Sequence, residues 1–120
     1  MPIHKLVHAI RTPKPLTREE GLKILTRDKF RCQYCGLDGT ASMDNALVMT
    51  VDFVVPRVAR GKRDPSNLVA ACRTCNILKG SHRFHSFEEA KRYVMQRREE
   101  KRQDWQQNIA PLGSKVAASA

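Results

Sequence analysis

At residues 50–57 the chain reads Thr50-Val51-Asp52-Phe53-Val54-Val55-Pro56-Arg57, an apolar and β-branched run that contains one carboxylate. This composition is typical of a buried strand, which we expect over Leu47–Val55 and which Pro56 ends. An ionised side chain inside such a strand is unfavourable unless it has a partner. Asp52 is therefore expected to have a partner, whose identity bears directly on the role of this strand.

Two Cys-x-x-Cys pairs flank this strand, Cys32 with Cys35 and Cys72 with Cys75. The first is followed by Gly36, which suits a tight turn that aims both sulfurs at one point. We expect a cytoplasmic protein, because the N-terminus lacks a signal-peptide pattern and no apolar run could cross a bilayer. In that reducing compartment the pairs indicate a closed, structural four-cysteine zinc site. Unrelated buried thiols or a redox pair are the alternatives.

The length and the net charge of the chain limit which folds and partners are expected. The 120 residues are enough for one small domain, which a structural metal would help to fold. The formal net charge is +10, which favours a polyanionic partner, with DNA as the first candidate.

The first part of the chain predicts an arm and a helix. Residues 1–16 contain three prolines and are expected to be extended; a short strand at Ile3–Ile10 is an alternative, although its alternation is poor. Thr17-Arg18-Glu19-Glu20 is a capping box and predicts the start of a helix that ends near Asp28. The expected apolar face of this helix consists of Leu22, Ile24 and Leu25.

Shorter elements follow the first cysteine pair. Gly36–Asn45 is mostly polar and predicts a loop. Leu68–Ala71 predicts a second short strand, and Thr74–Lys79 a helix that Gly80 ends.

The C-terminal third predicts one long charged helix. Ser86-Phe87-Glu88-Glu89 is a second capping box, and the helix is expected to reach about Asn108. Residues 97–102 are nearly all charged and are expected to be solvated, whereas residues 109–120 suggest a frayed tail. The expected apolar stripe consists of Phe87, Ala90, Tyr93 and Val94.

Two side chains suit a hard divalent cation. Asp52 and Asn76 offer oxygen ligands, which Mg²⁺ and Mn²⁺ prefer. A pairing of Asp52 with Arg57, and a capping role for Asn76, are the structural alternatives.

A basic loop lies between the proposed ligands in the sequence, and its cations would contact DNA phosphates unless they are only solvated. These cations are Arg57, Arg60, Lys62 and Arg63.

Taken together, these motifs resemble the HNH endonuclease family, of the kind with a zinc staple. The resemblance covers about residues 27–82 and depends on several spaced motifs. The matching pieces are Arg27-Asp28-Lys29-Phe30-Arg31-Cys32-Gln33-Tyr34-Cys35-Gly36, Thr50-Val51-Asp52-Phe53-Val54-Val55-Pro56-Arg57, Gly61, Asn67-Leu68-Val69 and Cys72-Arg73-Thr74-Cys75-Asn76-Ile77-Leu78-Lys79-Gly80.

The resemblance implies a ββα-metal core in which a hairpin and a helix hold one catalytic divalent cation, Mg²⁺ or Mn²⁺. Asp52 and Asn76 match the positions of the metal ligands. Asn67 matches the family's middle asparagine, which pins the long loop by hydrogen bonds and so orients residue 53.

Phe53 departs from the family pattern, which has a general-base histidine directly after the metal-binding aspartate. A phenyl ring cannot accept a proton, and loss of a positioned base costs about 10²–10⁴ in rate. Three explanations stay open: another base such as His82 or His85, slow cleavage through metal-bound hydroxide alone, or a nuclease fold kept for binding. Both histidines also fit exposed positions in a basic segment.

We therefore expect an α+β fold with a small ββα-metal core and a four-cysteine zinc site. The expected parts are an arm (1–16), the HNH-like domain (17–82), a charged C-terminal helix (83–108) and a tail (109–120). The expected function is metal-dependent hydrolysis of DNA phosphodiester bonds, reduced or lost because of Phe53. The alternative is a non-enzymatic zinc-knuckle protein that binds DNA.

Overall fold

A two-stranded antiparallel hairpin lies at the centre of the computed structural model, which describes residues 14–119. Asp52 lies opposite Val69 and Phe53 opposite Leu68 in its register. The elements in chain order are α1 (Arg18–Arg27), α2 (Met43–Leu47), β1 (Met49–Phe53), β2 (Leu68–Cys72), α3 (Arg73–Lys79), α4 (Phe87–Asp104), a wide helical turn (Trp105–Ile109) and α5 (Leu112–Ser119). The expected α+β fold, with a hairpin followed by a helix, is confirmed.

Helix α1 begins at the expected capping box. The Thr17 side chain accepts a hydrogen bond from the Glu20 amide, and the Glu20 carboxylate accepts one from the Thr17 amide. Its apolar face differs from the expected one, because Ile24 is the buried residue and Leu22 is exposed. Most of the expected arm, including the strand at Ile3–Ile10, lies outside the described residues.

The end of α1 is tied to the hairpin by polar contacts. The Asp28 carboxylate accepts hydrogen bonds from the Arg27 guanidinium and from the Ala70 amide. Arg27 also donates to the carbonyl oxygens of Pro65 and Leu68. These bonds hold α1 beside β2. Helix α1 in that position forms one wall of the cleft described below.

The core lies between the hairpin, α3 and the start of α4. Ala90 and Val94 are completely buried, as the expected stripe requires. The second capping box is only half formed: Ser86 caps the Glu89 amide, but the Glu89 carboxylate accepts from the His85 amide instead of the Ser86 amide.

Two segments differ from the sequence expectation. The expected loop Gly36–Asn45 runs into the short helix α2, whose N-cap Ser42 accepts a hydrogen bond from the Asn45 amide. Residues 112–119 are helical, where a frayed tail was expected.

Within residues 14–119 no helix is long and apolar enough to span a membrane.

Candidate metal centre and nucleic-acid cleft

The four cysteines converge on one point. Cys32, Cys35, Cys72 and Cys75 place their sulfur atoms within 4.8 Å of one another, and the Sγ atoms of Cys35 and Cys72 are 3.8 Å apart. Tetrahedral zinc with bonds of about 2.3 Å places its sulfur ligands about 3.8 Å apart. The donor set therefore fits a structural zinc ion, and the predicted clustering of the four thiols is confirmed.

Hydrogen bonds to the sulfur atoms support thiolate character. The amides of Cys35 and Cys75 donate to the sulfurs of Cys32 and Cys72, at 3.5 and 3.4 Å. A hydrogen bond from the Cys75 thiol is the main cause that lowers the pKa of Cys32 to about 4, whereas the same hydrogen bond raises the pKa of Cys75 and burial raises that of Cys35. One sulfur of the cluster is therefore favoured as a thiolate. Deprotonated sulfur is the form that binds metals.

Arg98 is a contact of this cluster that the sequence did not reveal. Its Nη1 atom lies 3.5 Å from the Cys75 sulfur and donates to it. The available signal was the i, i+4, i+8 spacing of Ala90, Val94 and Arg98, which continues the buried face of α4 toward the cysteines. Arg98 was instead expected to be solvated with its neighbours.

A cleft of about 620 Å³ lies between α1, β1 and α3. Four of the residues singled out in the sequence line it, namely Asp52, Phe53, Arg57 and Asn76, together with Lys79. The structure therefore brings both proposed oxygen ligands to the same cavity as one residue of the basic loop.

Asp52 is held by two partners inside this cleft wall. Its Oδ2 atom accepts a hydrogen bond of 2.5 Å from the Tyr34 hydroxyl, and its Oδ1 atom lies 3.2 Å from Lys79 Nζ. The side chains of Asp52 and Lys79 are only 3% and 1% exposed. Burial raises the pKa of Asp52 above its usual range, against the opposing attraction of Lys79.

The two partners are themselves fixed. Lys79 Nζ also donates to the Phe53 carbonyl oxygen at 2.9 Å and lies 6.0 Å from the centre of the Phe84 ring. Burial, with the Asp52 charge, raises the pKa of Tyr34 well above its usual range, so its hydroxyl stays a donor. Asp52 therefore pairs with Lys79 and Tyr34, a combination that the sequence did not indicate.

These contacts test the divalent cation that the family implies. Asp52 Oδ2 already accepts a hydrogen bond from Tyr34, and Oδ1 already forms an ion pair with the Lys79 ammonium. A cation bound to Asp52 would meet that ammonium at close range, where like charges repel strongly. As arranged, Asp52 does not fit Mg²⁺ or Mn²⁺. Asn76 is half-buried, and its side-chain amide makes no hydrogen bond within the described residues.

Phe53 is a core residue. Successive side chains of a strand point to opposite faces, so Phe53 packs with Ile24 and Leu68 while Asp52 faces Tyr34 and Lys79. Phe53 is buried in that cluster. The aromatic ring at this position therefore contributes packing to the core.

Asn67 closes the long loop between the strands. Its Oδ1 atom accepts from the Val55 amide at 2.8 Å, and its Nδ2 atom donates to the carbonyl oxygens of Val55 and Lys62. A Cβ atom on Gly61 would lie 1.6 Å from the Val55 oxygen, so only glycine fits at this crossing. The loop therefore has a defined path beside the cleft.

The remaining candidates lie around this loop and beyond α3. Arg60 and Lys62 are exposed, whereas Arg63 forms an ion pair with Glu20 of α1. His82 is exposed and shares a hydrogen bond of 3.1 Å with the Tyr93 hydroxyl, and His85 is also exposed. Among the described residues, the cleft lining extends to Ser81 and includes neither histidine.

Comparison with known proteins agrees with the motifs and the geometry. The family model described as HNH endonuclease matches residues 32–82, which include both cysteine pairs, the hairpin and α3. Neither the search of curated proteins nor the search of solved structures finds a match. Residues 32–82 therefore carry a match to the HNH endonuclease family, over the part of the chain that holds the hairpin and both cysteine pairs.

Proposed function

We propose that the protein binds DNA through backbone phosphates at the cleft beside Asp52, and that hydrolysis there is strongly reduced or lost. The observation that carries this proposal is the buried pairing of Asp52 with Lys79 and Tyr34, next to Phe53. Four thiolates would hold a structural zinc ion, which stabilises the fold and takes no part in catalysis.

The proposal for binding is supported by charge. Arg57 lines the cleft, and Arg60 and Lys62 are exposed on the loop that continues from it. The formal net charge of +10 adds a field that attracts polyanions. Arg63 is expected to contribute less, because Glu20 already offsets its charge.

The proposal for reduced hydrolysis is supported by two independent features. Phe53 offers no atom that could accept a proton from water, and loss of a general base costs about 10²–10⁴ in rate. Asp52 is committed to an internal ammonium and a hydroxyl, so it is not free to bind another cation.

Metal-dependent DNA hydrolysis is the second candidate. The family match and the shared cleft of Asp52 and Asn76 favour it. It requires Asp52 to leave Lys79 when DNA and a divalent cation are present.

Binding can be tested by fluorescence anisotropy of a labelled duplex over a series of salt concentrations. Each phosphate neutralised adds about −0.9 to the slope of log K against log salt. We expect a steep slope that Arg60→Gln and Lys62→Gln reduce, with a smaller effect of the matched variant Arg63→Gln. A flat salt response would contradict the proposal.

Cleavage can be tested by nicking of supercoiled plasmid with Mg²⁺ or Mn²⁺. We expect binding without nicking in the wild type, and the same in Phe53→His because Asp52 stays paired. Nicking by the wild type that disappears in Asp52→Ala would establish the second candidate instead. Circular dichroism of each variant would verify that it is folded.

A further inference from the structure

A second cavity, of about 400 Å³, lies on the far side of α3 from the cleft. We call it the α3–α4 groove. Its lining consists of Thr74, Leu78, Arg98, Lys101, Arg102 and Trp105. Helical spacing places Thr74 and Leu78 on a different face of α3 from Asn76 and Lys79, which line the cleft. The two cavities can therefore be altered separately.

The α4 side of the groove is one helix face. Arg98, Lys101, Arg102 and Trp105 follow the spacing i, i+3, i+4, i+7, so their side chains lie together. Toward the N-terminus this face continues into buried Val94. Beyond Val94 the face changes from core packing to three cations and one indole. The indole is that of Trp105, which is 51% exposed.

The three cations of the groove differ in whether their charge already has a partner in the protein. Arg98 donates to the Cys75 sulfur, and Arg102 is paired with Glu99. The Lys101 side chain is exposed and makes no hydrogen bond or ion pair within the described residues. One uncommitted ammonium therefore lies beside an exposed aromatic face, with Arg102 next to it.

This combination of groups fits an anionic ligand with a planar ring. Aromatic side chains stack on unpaired bases, and neighbouring cations attract the phosphates of the same strand. A paired base is already stacked in its duplex and cannot cover an indole in this way. An uncharged apolar partner would leave Lys101 desolvated without a counter-charge.

We propose that the α3–α4 groove binds an unpaired nucleotide of single-stranded DNA, with its base on Trp105 and its phosphate at Lys101 and Arg102. This site rests on the proposed function in that it takes the same polymer as the cleft. It adds a contact that selects single-stranded over paired DNA.

The test uses the only tryptophan of the chain, Trp105, as its own reporter. The zinc-loaded full chain is titrated with a single-stranded oligonucleotide and with the matched duplex, and indole emission is followed beside anisotropy of labelled DNA. We expect the single strand to quench the emission at saturation and the duplex to leave it nearly unchanged.

Variants make the test quantitative. Loss of one stacked base weakens binding by about 5- to 150-fold, so Trp105→Ala is expected to lose affinity for the single strand and little for the duplex. Lys101→Gln is expected to reduce the magnitude of the salt slope for the single strand by about 0.7. The matched control Lys91→Gln removes the same charge about 15 Å along α4 and is expected to have a smaller effect.

Each outcome has a separate meaning. Single-strand binding with unchanged emission, and with full affinity in Trp105→Ala, would overturn the groove and leave the proposed function standing. Equal quenching by duplex would overturn the assignment to an unpaired base. Emission that changes with protein concentration alone, together with a dimer in sedimentation, would assign the groove to a second copy. Absence of any DNA binding would overturn both proposals.

Discussion

Replacing Lys79 by methionine removes the cation that faces Asp52 and keeps most of the side-chain length. The two charges are 3.2 Å apart and almost fully buried, which at an effective dielectric of about 20 is a gross attraction of about 5 kcal/mol. Removing one partner of a buried pair costs about 3–5 kcal/mol, because the other charge is left uncompensated. We expect Lys79→Met to lower the free energy of unfolding by about that amount.

The assay is urea unfolding of the zinc-loaded protein, followed by circular dichroism. The control is Lys91→Met, at an exposed position of α4, which is expected to stay within about 0.5 kcal/mol of wild type. The double variant Asp52→Asn with Lys79→Met leaves no buried charge, so it should be more stable than Lys79→Met alone. If Lys79→Met were as stable as Lys91→Met, the buried pair would not exist as described.

Three further outcomes are expected. Removal of zinc by a chelator should abolish cooperative unfolding, measured by circular dichroism, because the thiolates connect the first cysteine pair to α3; an unchanged transition would contradict a structural zinc ion. Arg98→Gln should speed zinc release to a colorimetric chelator several-fold, because the donor to Cys75 is lost, whereas Arg97→Gln should not; equal rates would show that Arg98 does not support the metal site. Gly61→Ala should lower the thermal midpoint, since its Cβ would overlap the Val55 oxygen; an unchanged midpoint would mean that the loop adjusts freely.

Local signals in the sequence were sufficient for much of the fold. The Thr17 capping box begins α1, and Gly80 ends α3 with a φ of 66°. Signals of this kind depend on a few adjacent residues, so they do not require tertiary information. The spacing of the two cysteine pairs likewise indicated which distant segments meet.

The differences arise where a local signal was weak or was overridden. Helix α2 is five residues long and polar, so it has almost no periodic pattern to detect. Beyond α4, the small residues and the proline of 109–120 suggested a frayed tail. The chain instead makes a wider turn, in which the Ala110 amide donates to the Trp105 carbonyl oxygen, and the helix resumes at Leu112.

The sequence singled out Asp52 and Asn76, but it did not indicate the partners of Asp52. A carboxylate in an apolar strand had to have a partner, yet Tyr34 and Lys79 lie 18 and 27 residues from Asp52 in the sequence. Tyr34 reaches Asp52 because the first cysteine pair holds it, and Lys79 does so because α3 packs on the hairpin. Only the tertiary arrangement reveals which cation the carboxylate faces.

The most direct test is Mn²⁺ binding to the zinc-loaded protein, followed by the electron paramagnetic resonance of free Mn²⁺. Because Asp52 already faces the Lys79 ammonium, we expect no Mn²⁺ site that depends on Asp52, and so identical titrations for wild type and for folded Asp52→Asn. Stoichiometric Mn²⁺ binding by the wild type that disappears in Asp52→Asn would contradict the internal pairing and restore a metal-dependent nuclease site.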